Sequence, residues 1–166
     1  MATRRQGREW AVQMLFQADM NPGLELDMTI PKFWRQQWTC QMEAMRDDDP
    51  DSVEEDNDKA VEDRVAPGKI RIFTENLVRG VMSHLPDIDA KLQSYVQNWP
   101  MHRMGSIERN VLRLAFYEIM YCSDVPHAVV LNEAIDLAKY FSNADAGRFV
   151  NGILDRLHKD MEKEKA

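Results

Sequence analysis

The sequence predicts an all-α fold, with about seven helices in two small bundles around a shared core. Three observations carry this reading. Apolar residues recur at spacings of three and four along nearly the whole chain, and no segment shows the period-two alternation of a half-buried strand. Short polar turns join the later helical segments, so consecutive helices should pack as hairpins. A length of 166 residues suffices for one well-buried core, and residues 1–166 are read as a single domain.

The first helix is expected from about Thr3 to Met20, where Ala11, Met14, Leu15 and Ala18 share a face and Asn21-Pro22-Gly23 stops it. A second runs from about Pro31 to Arg46 around Phe33, Trp34 and Trp38. The stretch from Asp47 to Pro67 has too few apolar residues to offset its ordering entropy, so a mobile acidic insertion is expected there. Ile70, Phe73, Leu77 and Val81 form the next stripe, ended near His84 by Pro86. Ile88, Leu92, Tyr95, Val96 and Trp99 follow, with Asp87 as the helix cap and Pro100 as the stop. Ser106 caps a helix whose broad stripe of Ile107, Val111, Leu112, Leu114, Ala115, Phe116 and Ile119 marks a buried spine. The last two helices carry Leu131, Ala134, Ile135, Ala138 and Phe141, then Val150, Ile153, Leu154 and Leu157, with fraying expected from Met161 to Ala166.

Charge is distributed unevenly. Eleven acids between Glu43 and Asp63 face only Arg46 and Lys59, a local net of −9, which leaves +2 for the rest of a chain whose total is −7. A mildly basic body can still attract phosphate where Arg4, Arg5 and Arg8 concentrate positive charge. The apolar runs are far shorter than the roughly 20 residues of a membrane span, and the N-terminus lacks the pattern of a signal peptide. Cys40 and Cys122 form neither a disulfide framework nor a metal-ligand spacing, so reduced thiols and a cytoplasmic location are expected.

Catalytic chemistry finds no support in the sequence. His84, His102, His127 and His158 are widely separated in the chain, the glycines are isolated, and no nucleophile motif is present. Neither a metal, a cofactor nor an enzyme is expected. Recognition is what remains. On a helix Arg4 and Arg8 share a face and would straddle neighbouring phosphates, with Gln13 beyond them as a donor and acceptor. A solvated helix start explains the same arginines more plainly, although cations at a helix N-terminus oppose its dipole. Tyr95 and Phe149 are each either a stacking platform for an unpaired base or part of the core. Glu108, Arg109 and Glu118 read as a solvated face of the spine helix, and Asn132 and Asn151 as partners in helix–helix or capping hydrogen bonds.

Five blocks carry a family resemblance. They are Arg4-Arg5-x-x-Arg8-Glu9-x-Ala11-Val12-Gln13-x-Leu15, Leu77-Val78-x-Gly80-Val81, Glu108-Arg109-x-Val111-Leu112-Arg113-Leu114-Ala115-x-Tyr117-Glu118, the run from Asp124 to Phe141, and the run from Gly147 to Asp155. In this order and spacing the chain resembles the NusB family over nearly its full length, departing from it at the acidic stretch. The resemblance implies two three-helix bundles and a role in processive transcription antitermination and ribosomal RNA synthesis. It further implies pairing with the ribosomal protein NusE, binding of the single-stranded boxA element of nascent RNA, and action without catalysis within an RNA polymerase antitermination complex.

By position, the resemblance places Arg4, Arg5, Arg8 and Gln13 in the RNA-contacting segment. It places Asp145 and Phe149 near the RNA, with Arg148 at the same turn, and Tyr95 and Glu108 on or near the side that faces NusE and the RNA. Gln6-Gly7 stand where some relatives carry further basic residues, which implies fewer phosphate contacts. Two other readings stay open: the RNA-binding domain of a ribosomal RNA cytosine methyltransferase, although no cofactor-binding Gly-rich turn or catalytic Cys motif is present, and a structural helical homodimer. The acidic insertion is read as a mobile screen that repels nonspecific RNA or contacts a basic partner, or else as a tolerated surface insertion. One adjacency is decisive for the RNA reading, that of Asp145, Arg148 and Phe149 beside the N-terminal arginines.

Overall fold

The computed structural model describes residues 2–48, 61–96, 98 and 100–165, and within them the fold is all-α. Helix α1 spans Arg4–Met20, α2 Leu26–Asp48, α3 Val61–Val65, α4 Gly68–Ser83 and α5 Leu85–Tyr95. A 3-10 turn at Met101–Arg103 precedes α6 at Ser106–Tyr121, α7 at His127–Phe141 and α8 at Ala144–Lys165. Helices α1, α2 and α4 pack together in the first half, and α5, α7 and α8 pack around α6 in the second. Because α6 also packs on α1 and α4, the two bundles share one continuous apolar core.

Several boundaries differ from expectation for identifiable reasons. Helix α2 starts at Leu26, five residues before Pro31, because the Glu25 carbonyl accepts from the Met28 and Thr29 amides and opens the helix early. Pro31 forfeits one helical hydrogen bond, and burial of Ile30, Phe33 and Trp34 offsets that loss. Helix α2 also runs on to Asp48, and α3 forms inside the stretch expected to be loop, with Val65 and Ala66 buried. The remainder of the acidic insertion, residues 49–60, lies outside the described residues.

Helix α5 begins before Asp87, which sits in its first turn, and ends at Tyr95. Trp99, expected in its stripe, lies outside the described residues. Ser106 is the first residue of α6 and Gly105 holds the cap position. Fraying after Met161 is not seen, since α8 continues to Lys165. On α7 the buried stripe is Val130, Ala134, Leu137 and Ala138, so Ile135 is turned away from the centre of the expected face.

Helix α6 is the spine, and its polar residues are buried along with its apolar ones. Arg109, Asn110, Arg113 and Glu118 all lie inside, which corrects the expectation that Arg109 and Glu118 belong to a solvated face. Arg109 donates to Asp19 of α1 and to the Met101 and Met104 carbonyls, tying the 3-10 turn to the spine. Arg113 binds Asp89 of α5 through two 2.9 Å bonds and reaches Asp19 at 3.1 Å. Each buried charge thus has an opposite partner, the condition under which burial of charge is tolerated.

Candidate nucleic-acid interface

The exposed cationic site begins at the N-terminus of α1. Thr3 caps the helix, its hydroxyl accepting from the Gln6 amide at 3.2 Å, and the first turn contains no acid. Arg4 and Arg5 are exposed at this helix start, and both the side chains and the helix end favour an anion there. The Arg4 guanidinium lies 5.1 Å from the centroid of the Phe73 ring. Arg5 is held by Glu133 and Asp136 of α7, at 3.1 Å and 2.8 Å. Its side chain stays 53% exposed, so a phosphate can compete with those carboxylates for it.

Arg8 has a different fate. Its guanidinium is enclosed between α1, α4 and α6 and donates to both Glu118 carboxylate oxygens at 2.8–3.2 Å. Only 4% of its side chain is accessible, and the Phe73 ring covers it at 5.3 Å. Gly7 permits this closure, since a Cβ there would press on Phe73 and Thr74. Spacing alone puts Arg4 and Arg8 on one face, but that face packs against α4 and buries the second of them.

Two hollows lie between side chains of α1 and α7. Arg5, Glu9, Leu137 and Tyr140 line one, and Gln13, Phe16, Gln17 and Phe141, with Ile107, line the other. Gln13 is half-buried and accepts from Gln37 of α2 at 3.4 Å. Beyond Phe141 the chain turns, and a hollow of about 290 Å³ opens among Met104, Gly105, Glu108, Asn143, Asp145 and Phe149. Asn143 shapes this turn by accepting from the Ala146 amide at 2.9 Å, as a helix cap does. Ser142 donates to Glu108 at 3.2 Å, and Arg148 pairs with Asp145 on the exposed first turn of α8.

The structure therefore gathers Glu108, Asp145, Arg148 and Phe149 around one hollow, and leaves Arg4 and Arg5 together at the start of α1. Direct adjacency of the two groups is not what the fold makes. Arg5 precedes Asp19 by fourteen positions on α1, and Asp19 meets Arg109 beside Glu108, so the two groups are separated by about 21 Å at about 1.5 Å per residue.

Tyr95 lies elsewhere. It is 9% exposed, crosses Phe116 edge to face, and donates its hydroxyl to Asp160 at 2.6 Å. Burial together with Asp160 pushes its pKa up to about 12. The expectation that Tyr95 faces a partner or a base gives way to a role joining α5 to α8. Asn132 and Asn151 are exposed, not bonded between helices as expected. Sequence reasoning missed Tyr140, which is 71% exposed at the hollow beside Arg5. The available signal was an aromatic residue outside the apolar stripe of its helix. It also missed that His127 and His158 meet, their Nδ1 atoms 2.8 Å apart.

A model of the NusB family matches residues 5–159, almost all of the described fold. The chain belongs to the NusB family. It is 36% identical to the transcription antitermination protein NusB of Myxococcus xanthus over 163 residues, covering 98% of this chain and 99% of that protein. The corresponding protein of Thermodesulfovibrio yellowstonii is 32% identical, with 95% and 92% covered. Among solved structures, T. maritima NusB superposes with a TM-score of 0.74 at 27% identity and 99% coverage of both chains. A crystal structure of antitermination factors NusB and NusE in complex with double-stranded RNA shares the fold, with a TM-score of 0.66 at 21% identity and 95% and 96% coverage.

Proposed function

We propose that the chain is a cytoplasmic transcription antitermination factor that binds boxA-type single-stranded RNA jointly with ribosomal protein NusE, supporting processive transcription of ribosomal RNA operons. The observation that carries this reading is an exposed basic helix start, Arg4 and Arg5, on the same molecule as an open hollow at Glu108 and Phe149, with further hollows along α1 between them in sequence. Arg4 and Arg5 take phosphates, Gln13 and Tyr140 line the path of the strand, and the Phe149 ring is placed to stack on a base. Glu108 and the hollow beside it face NusE. Arg8 and Tyr95 are left out of the interface, because each is buried and already bonded.

Two exposed arginines make a small electrostatic footprint, so RNA binding by the chain alone should be weak and sensitive to salt. A partner that also touches the RNA raises the local concentration and supplies the missing affinity, which is adaptor work without catalysis. An electrophoretic shift of boxA and scrambled RNA, with and without NusE, tests this. A NusE-dependent preference for boxA is expected; equal shifts of both RNAs, unchanged by NusE, would overturn the proposal.

A further inference from the structure

His127, His158 and Glu162 meet at the open end of the α7–α8 hairpin, opposite the turn that carries Asp145 and Phe149. His127 is the first residue of α7, and His158 and Glu162 stand four residues apart on one face of α8. The two imidazole rings cross at 80° with centroids 5.0 Å apart. One ligand atom from each of the three residues lies within 4.8 Å of the others. Both histidines are half-buried and Glu162 is exposed, so the rings are held by packing while the carboxylate side stays open to solvent.

We infer that these three residues form a site for a divalent transition metal ion of the Zn²⁺ class. Two imidazole nitrogens and one carboxylate oxygen suit Zn²⁺ and its neighbours, with water completing a tetrahedron on the open side. At metal–nitrogen bonds of about 2.0–2.1 Å, tetrahedral ligands sit about 3.3 Å apart. The Nδ1 atoms, now at 2.8 Å, need to separate by only about half an ångström. The proton they share moves to the outer Nε2 of its own ring, and both Nδ1 lone pairs then point at the metal. The charge of Lys165 also reaches His127 and opposes a cation, while Glu162 favours one. A bound ion would staple the start of α7 to the end of α8.

The test is calorimetric titration of the untagged full chain, freed of metal by chelation, with Zn²⁺, accompanied by Co²⁺ absorption spectra. Expected are one equivalent bound, a tetrahedral Co²⁺ spectrum, and affinity about tenfold or more weaker in His127→Gln and in His158→Gln. Both replacements keep side-chain bulk at half-exposed positions, and circular dichroism verifies the helices. Glu162→Gln weakens binding and Lys165→Ala strengthens it. Zn²⁺ at about 100 times its dissociation constant raises Tm by about 5–10 °C in the wild type and leaves the double histidine variant unmoved. No saturable binding by the wild type, or wild-type affinity in the double histidine variant, overturns the inference.

Discussion

Arg8 and Glu118, 110 residues apart in the chain, form a closed pair in the interior through three hydrogen bonds of 2.8–3.2 Å. The pair joins α1 to the spine helix directly below the exposed arginines, so the same segment supplies both a buried structural cation and two exposed ones.

Removing one partner strands the other charge in the core. Arg8→Ala or Glu118→Ala is expected to cost about 3–5 kcal/mol, read as a shift in the urea midpoint. Arg8→Met with Glu118→Leu should recover much of that loss. RNA affinity of this folded double variant should match the wild type; a large drop would return Arg8 to the interface.

Arg4 and Arg5 predict the opposite pattern. Arg4→Ala with Arg5→Ala should leave stability within about 1 kcal/mol, because the ion pairs lost are exposed. RNA binding should weaken, and the dependence of log K on log salt should flatten by about 1–2 units. Glu133→Gln with Asp136→Asn frees Arg5 from its carboxylates and should tighten RNA binding at low salt. Filter binding across a salt series reads both effects.

Phe149 should separate binding from folding. Its ring is 36% exposed at the rim of the hollow, so Phe149→Ala should unfold at nearly the wild-type midpoint yet bind RNA with NusE several-fold more weakly. Equal loss in the absence of RNA, measured as NusE pull-down, would reassign the ring to the protein partner.

Acid stability should depend on Asp19. Burial raises the proton affinity of this carboxyl, but the hydrogen bond from Arg109 and the charge of Arg113 outweigh it and hold it below its ordinary 3.8. A carboxylate with a depressed folded-state pKa contributes stability that is present above its unfolded value and lost as pH falls through the folded one. Stability of the wild type should therefore fall as pH drops below about 4, and Asp19→Asn should flatten that part of the profile.

Gly80 lets α4 pack closely on Tyr117 of α6. A Cβ there meets the Tyr117 ring, which packs against Tyr121 and His84. Alanine gains about 1 kcal/mol in helix propensity, yet overpacking costs about 1–3 kcal/mol, so Gly80→Ala should be neutral to destabilising by about 2 kcal/mol. Adding Tyr117→Leu clears the space and should expose the propensity gain in thermal unfolding.

The apolar stripes of α4, α6 and α8 were legible because burial imposes a helical period on residue type. Val150, Ile153, Leu154 and Leu157 are buried where that period puts them. The buried charges were not legible. Glu118 and Arg109 look identical in sequence to surface residues, since what buries them is an opposite charge about a hundred positions away. The same blindness made Arg8 resemble Arg4. It also hid the meeting of His127 with His158, brought about by two helices folding back on each other. Asp145, Phe149 and Glu108 were singled out through the family resemblance, and their grouping depends on a turn whose geometry no spacing rule supplies.

The polar residues of α6 have a consequence for how this sequence can change. With Glu118 matched to Arg8, Arg109 to Asp19 and Arg113 to Asp89, the spine fits its neighbours like a key cut at three depths. An apolar seam tolerates drift one residue at a time, whereas these positions change only together with the charges that oppose them, Asp19 being shared by Arg109 and Arg113. Mutational history at 8 and 118 should therefore be shared, with either residue rarely replaced unless its counterpart is replaced too.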